Sequence, residues 1–256
     1  MAASPAAVGS EMIRELQEKA ARALPAEHIE HADGWWLRHA PGSSWWVATV
    51  LPHGDAAPGE LLGRVVRAEE FYAARGAIAR VQITPGVCPP GLDALLAERG
   101  YRAESPVSLQ VASSAHIGAL PSTGPLQFGV DDQPTAPWFD VWHAVNGGNP
   151  QSAWDMLARV ERPCGYARVA IGDEVVAVGR AVVDDGWTGV FGMATLPQAR
   201  GRGAGRRVLE ALARWAEAQR TDRMYLQVER DNLPARWLYE KAGFTEVCAY
   251  HYRTAG

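Results

Sequence analysis

The chain has only three cysteines, Cys88, Cys164 and Cys248, far apart and without a C-x-x-C pair. That fits neither a disulfide framework nor a zinc site, and it points to a reducing compartment. A long apolar run is missing too: the opening residues are small and polar, and the first helical pattern, residues 11–24, is rich in charge. Neither a signal peptide nor a membrane anchor is expected. There is no basic surplus either, because 25 Lys and Arg stand against 29 Asp and Glu for a net charge of -4. A general nucleic-acid or membrane-surface binder would carry a strongly basic face. The expectation is a cytoplasmic protein, monomer or homodimer, with no nucleic-acid partner, no membrane and no metal.

What is present is enough apolar material for a sizeable core. The 256 residues are 47% hydrophobic and 21% charged, which suits one large or two modest domains. Positive charge gathers at one place, Arg200-Gly201-Arg202-Gly203-Ala204-Gly205-Arg206-Arg207. A strand-like segment, 187–192, precedes it and a helical pattern, 206–219, follows. Glycine at 201, 203 and 205 lets the backbone approach a ligand and take positive φ. The first N–H groups of the following helix have no partner within it and carry the positive end of the macrodipole. Strand, glycine turn and helix together make an anion site suited to a pyrophosphate. A plain Gly/Arg-rich turn capping a surface helix is the alternative.

Two nucleotide motifs are absent by letter. A Walker loop needs Lys-Ser/Thr after its last glycine, where this chain has Arg206-Arg207, and a dinucleotide fingerprint needs G-x-G-x-x-G, where it has G-x-G-x-G. The stretch instead resembles the acyl-CoA loop of the GCN5-related N-acetyltransferases, R/Q-x-x-G-x-G/A. Downstream, Asn232, Ala235, Leu238-Tyr239, Lys241 and Gly243-Phe244 follow the order and spacing of the same family. The two segments cover about residues 130–256.

The first half carries an echo. Leu95-Leu96-Ala97-Glu98-Arg99-Gly100-Tyr101 lies over Leu238-Tyr239-Glu240-Lys241-Ala242-Gly243-Phe244 without a gap, with a strand expected before and after each. The resemblance therefore implies a tandem α/β (α+β) protein: a degenerate N-terminal copy, 1–118, and a catalytic copy, 119–256. Each half would be a mixed, mostly antiparallel sheet flanked by helices, with a splayed-strand acyl-CoA site in the second. Where the second copy has its glycine loop, the first has His53-Gly54-Asp55-Ala56-Ala57-Pro58-Gly59-Glu60, acidic and proline-containing and unsuited to a phosphate. Coenzyme A is expected in the C-terminal half alone. In the first half a helix over 60–76, strands over 34–39, 44–51, 79–84 and 105–112, and a helix over 90–100 are expected. Residues 113–137 read as a linker leading into a strand at 126–129. Two helices, 138–145 and 153–160, and a meander of strands over 166–171, 174–183 and 187–195 follow.

The resemblance implies an enzyme that moves an acetyl group from acetyl-CoA to the amine of a small molecule or peptide by direct attack. The backbones of Met193 and Thr195 would bond the pantetheine arm, and the Ala194 region would polarise the thioester carbonyl. Residues 200–206 (Arg200, Gly201, Arg202, Gly203, Ala204, Gly205, Arg206) would hold the diphosphate. Tyr239 matches the family's general acid, and could equally be a helix tyrosine packed on the sheet. Asn232 would orient the cofactor arm, or cap the helix ahead of Pro234. Trp138, Trp142, His143 and Trp154 lie where the family builds its acceptor wall, though each tryptophan alone is also an ordinary core residue. Many relatives carry a glutamate on the strand leading into the loop, but Gly189-Val190-Phe191-Gly192-Met193 has no carboxylate. Glu229 is then the first candidate base, ahead of Asp140, His143 and His251, unless the acceptor is an amine of low pKa. A non-catalytic acyl-CoA-binding regulator and a partner-binding protein are the rival readings.

Overall fold

The computed structural model describes residues 5–57, 59–118 and 126–256. In chain order the elements are α1 (Pro5–Ala23), β1 (His28–Ala32), β2 (Trp35–His39), β3 (Val50–Pro52), α2 (Leu61–Ala73), β4 (Arg80–Ile83), α3 (Leu92–Glu98), β5 (Arg102–Ser113) and α4 (Ser114–Gly118). Then come β6 (Gln127–Asp131), α5 (Ala136–Asn146), α6 (Pro150–Ala158), β7 (Cys164–Ile171), β8 (Glu174–Asp184), β9 (Trp187–Thr195), α7 (Ala204–Ala218), β10 (Arg223–Glu229), α8 (Leu233–Lys241) and β11 (Thr245–Thr254). Single 3-10 turns stand at Trp45–Val47 and Pro197–Ala199.

The chain divides into two compact units, one of Met1–Ser108 with Cys248–Gly256, the other of Leu109–Val247. This division differs from a single cut at 118/119, because the end of β11 belongs to the first unit and the end of β5 to the second. Residues 119–125, part of the expected linker, lie outside the described residues. The fold is thus α/β with mixed strands flanked by helices. The two expected self-contained sheets are corrected, since β5 and β11 each contribute residues to both units.

Within the first unit the strand order is β1-β2-β3-β4-β11-β5. Asp33 and Gly34, with φ of 51° and 80°, make the tight turn that joins β1 to β2, the Asp-Gly signature of a two-residue hairpin. β3 pairs antiparallel with β2 and parallel with β4, through Val50 and Val81. β11 lies antiparallel to β4, from His251 opposite Ile83 to Thr254 opposite Arg80. Trp35, Leu37, Val65, Phe71, Tyr72, Leu92, Leu96 and Tyr101 close the core between this sheet and α2 and α3. The strand expected over 44–51 is instead a 3-10 turn followed by the short β3. Aromatic and β-branched residues imitate a strand there without a partner for every residue.

Within the second unit the order is β5-β10-β9-β8-β7-β6. The β7-β8-β9 meander forms over the expected stretches, with Asp185 and Gly186 at positive φ between β8 and β9. Val208, Leu209 and Leu212 of α7 and Tyr239 and Phe244 around α8 pack with Ala167, Ala177, Val190, Leu226 and Val228 of the strands. Trp138 of α5 meets Tyr166 of β7 edge to face at 5.1 Å. Ser114–Gly118, expected as linker, forms a short helix whose Ile117 joins the α7 core.

Candidate active site

The site begins where two parallel strands stop pairing. β9 and β10 run in register from Trp187 opposite Arg223 to Val190 opposite Leu226, after which β9 continues to Thr195 and β10 to Glu229. The cause lies on the far side of β9: Arg180 of β8 faces Phe191 and Val178 faces Ala194, so Gly179 opposes the two residues Gly192 and Met193. That is a β-bulge, which bends the strand that carries it. Gly192 has φ of 59°, and a Cβ there would lie 2.8 Å from Nε1 of Trp142. An isolated glycine inside a strand pattern is the sequence signal for such a bulge.

Beyond Thr195 the chain turns through Pro197–Ala199 and enters α7 by Gly201 and Gly203, with φ of 73° and 81°. Gly203 is the N-cap and has no side chain to accept the first-turn N–H groups, so these donors are left to solvent or an anion. A Cβ on Gly205 would press within 3.2 Å of Leu238 Cδ2, so glycine lets the start of α7 sit against α8. The arginines divide by role. Arg202 and Arg206 are exposed beside the turn, whereas Arg200 Nε donates to the Thr195 carbonyl at 3.2 Å and braces the strand end. Arg207 pairs with the buried Glu210 at 3.1 Å, which places its charge inside α7's own ion network.

Asn232 is a helix cap: its Oδ1 accepts from the Ala235 N–H at 3.2 Å at the head of α8. Tyr239, on the inner face of α8, is 7% exposed and stands edge-on to Phe244 at 5.9 Å. Burial pushes its phenol well above the ordinary tyrosine range. Among the described residues its hydroxyl has no hydrogen-bond partner. Glu229 is exposed at the end of β10, where its carbonyl accepts from the Asn232 N–H at 3.1 Å.

The expected acceptor wall is an aromatic cluster on α5 and α6. Trp138 is a core residue, 1% exposed, its Nε1 donating to the Ala167 and Gly179 carbonyls at 3.0 and 3.2 Å. Of the two readings the sequence left open for it, core packing is the one these bonds display. Trp142 stacks on it at 6.4 Å and also touches Phe139. Trp154, half-buried, stacks on Phe139 at 4.3 Å. His143 stacks on the same ring, with Nε2 3.1 Å from the Gly148 carbonyl. Among the other base candidates, Asp140 is exposed on α5, and His251 belongs to the first unit with Nε2 3.2 Å from Asp93. Among the described residues no three His, Cys, Asp or Glu side chains are placed to hold a metal ion, and no helix is long and apolar enough to cross a membrane.

Comparison with known proteins agrees with this geometry. The family model described as "Probable histone acetyltransferase Rv0428c C-terminal" matches residues 10–253. The uncharacterized N-acetyltransferase YobR of Bacillus subtilis (strain 168) is 27% identical over 250 residues, covering 94% of this chain and 98% of YobR. Among solved structures, a GCN5-related N-acetyltransferase from Kribbella flavida superposes with a TM-score of 0.73 at 16% identity, over 99% of this chain and 96% of its own. A tandem acetyltransferase of the same superfamily from the clavulanic acid biosynthesis pathway gives 0.66 at 13% identity, over 96% and 87%. The two structures speak to the fold. The chain belongs to the Rv0428c C-terminal family of GCN5-related N-acetyltransferases, enzymes that generally take acetyl-CoA as donor.

Proposed function

We propose that the protein transfers an acetyl group from acetyl-CoA to the amine of a small molecule or a peptide by direct attack on the thioester. The observation that carries this reading is the end of β9–β10 pairing at Val190 and Leu226 beside a helix start whose N-cap is glycine. The diphosphate of the donor suits the main-chain donors from Gly201 to Gly205 with Arg202 and Arg206 at hand. The edge of β9 from Phe191 to Thr195, which has left β10, suits the amide-bearing arm. The close approach at Gly205, where a Cβ would lie 3.2 Å from Leu238 Cδ2, supports a cradle in which α7 starts tight against α8.

Bound there, the donor supplies an activated acetyl carbon; the chain's own residues supply position and protons. Tyr239 is protonated at physiological pH, as an ordinary phenol is, and burial raises its pKa further, so it gives its proton to the departing sulfur only as negative charge builds there. Asn232 holds the head of α8 in place and so orients Tyr239. No carboxylate stands on β9 ahead of the loop, so the attacking amine loses its proton to water, with Glu229 at the end of β10 the first candidate to receive it. A lysine-like amine of pKa about 10.4 costs ~4.6 kcal/mol to deprotonate at pH 7, an α-amine near 7.7–8.0 only ~1–1.4. An amine of low pKa is therefore the favoured acceptor class, with a lysine side chain, such as one on the histone substrate that the family model's description implies, as the demanding alternative.

An acceptor panel tests the proposal: amino acids, polyamines, aminoglycosides, arylamines, peptide N-termini and histone-tail peptides, with free thiol release as readout. Thermal stabilisation by acetyl-CoA is measured in parallel, since a ligand at 100 times its dissociation constant adds ~2.7 kcal/mol. Stabilisation with no turnover on any acceptor would instead favour a non-catalytic acyl-CoA-binding regulator. Absence of both would remove the proposal.

A further inference from the structure

Trp138 and Trp142 lie one turn apart on α5, their rings 6.4 Å apart and 9° from parallel. They are 1% and 6% exposed. The N–H of Trp138 is satisfied twice, by two strand carbonyls. That of Trp142 has no partner among the described residues. Unlike Trp35 Nε1, which is sealed without a partner, Trp142 Nε1 keeps open surface, and the contrast with its stacked neighbour calls for a reason. The orientation of the ring supplies one. Trp142 meets β9 by its pyrrole edge: a Cβ at Gly192 would lie 2.8 Å from Nε1 and 3.1 Å from Cδ1. Gly192 is the first residue of the bulge, just past the last β9–β10 pair at Val190.

We infer that the Trp142 indole N–H is a hydrogen-bond donor to the carbonyl oxygen of the acetyl group held at this bulge. The inference rests on the acetyltransferase reading and deepens it. In the transfer the amine nitrogen bonds to the carbonyl carbon, and the carbon–sulfur bond breaks with its electron pair on sulfur. The sulfur takes a proton and the nitrogen loses one. Between those events negative charge gathers on the carbonyl oxygen, and a donor fixed in advance at that oxygen lowers the barrier. Stacking on Trp138 and packing against Gly192 fix Trp142 in this way. Any side chain at 192 would displace the donor, which gives glycine there a second role beside its positive φ.

The test uses the full chain labelled with 15N-tryptophan, the Trp142 indole resonance being assigned by its loss in Trp142→Phe. A ketone analogue of acetyl-CoA, with a methylene between sulfur and carbonyl, should move that resonance downfield, and free coenzyme A should leave it in place. Trp142→Phe, which keeps a ring for stacking and removes the donor, should lower kcat by about 10²-fold with a much smaller change in KM for acetyl-CoA, as expected for a donor whose bond strengthens chiefly in the transition state. Backbone resonances of residues 201–205 that respond to both ligands, with the indole unmoved or moved equally by both, would overturn the inference and leave the acetyltransferase reading standing. Loop resonances that respond to neither ligand would remove both.

Discussion

The two halves of the chain use one frame and fit it out with opposite charge. In each, a strand leads through a loop into a helix, a parallel strand, a short helix and a last strand: β3, α2, β4, α3 and β5 in the first, β9, α7, β10, α8 and β11 in the second. The short helices end identically. The N–H of Tyr101 returns to the Leu96 carbonyl at 3.0 Å and that of Phe244 to the Tyr239 carbonyl at 2.9 Å, across glycines with φ of 82° and 90°. Inside that shared frame the residues proposed for the chemistry are present once. Where the second half has a bare glycine N-cap, the first has Glu60, whose Oε2 accepts from the Ala57 N–H at 3.2 Å and pairs with Arg64 at 3.1 Å. His53, at the head of the same loop, is buried between Glu18 and Gln17, 3.1 Å from each. Leu96 sits where Tyr239 does. The first half meets its own need for an anion with a carboxylate; the second leaves the place open.

Four measurements sharpen or break this contrast. The largest effect is expected from Tyr239→Phe, which should lower kcat by about 10²-fold with the fold intact. Because burial raises the phenol's pKa, Tyr239 stays protonated through pH 9, so a basic limb below that pH in the wild type would assign the proton donor elsewhere. Next comes Gly203→Asp, which gives the second half the charge the first already has. Measured against Gly203→Asn, which carries the same backbone strain, it should raise KM for acetyl-CoA by about 10-fold to 100-fold, since hydrogen bonds to charged groups are worth about 1.5–3 kcal/mol. Equal KM values would mean that no anion sits at the α7 start.

Third, the paired glycines separate frame from context. Gly100→Ala meets open space and should cost about 1 kcal/mol for its left-handed conformation, roughly 2–4 °C in Tm. Gly243→Ala should cost about 1–3 kcal/mol more, because a Cβ there comes within 2.4 Å of the His116 ring. Equal melting points would show that the ring gives way. The smallest effect concerns Asp93, which stands on α3 where Arg236 stands on α8. The hydrogen bond from Arg253, helped by His251, holds its carboxyl below the usual aspartate range against a partly opposing burial. A lowered folded-state pKa stabilises above the ordinary value of about 3.9 and ceases to do so as pH falls through the folded one. Asp93→Asn should therefore melt about 1–3 °C lower at pH 7, the half-exposed carboxylate being screened, and the gap should narrow as pH falls from the ordinary aspartate value through the lowered folded one. A gap that does not narrow on acidification would assign the loss to something other than the charge.

Much of this contrast was legible before any coordinates, for particular reasons. Glycine and arginine at 200–207 are identities that constrain the backbone themselves, so the turn and the helix after it could be read directly. The α3 and α8 ends share their terminal glycine and aromatic residue, which made the duplication visible. Strand partnership was not legible: nothing in the β5 or β11 residues says that β4 takes β11 as its neighbour. Nor does a helix pattern tell which face a tryptophan takes. Trp138 and Trp142 read alike, yet one is sealed by two carbonyls and the other abuts a bulge. β1 escaped notice because His28, Glu30 and His31 make it polar, although Asp33-Gly34 beside it marks a hairpin. Asn232 carried two readings, and the cap is the one the hydrogen bonds display.

The placement of residues 248–254 has a consequence for biosynthesis. β4 takes as its neighbour a strand that leaves the ribosome more than 160 residues later, so the N-terminal unit waits for residues 248–254 to be made before its sheet can close. Nascent chains halted before residue 248 should remain sensitive to protease across α2 and β4, and this half should lean on chaperones longest during synthesis.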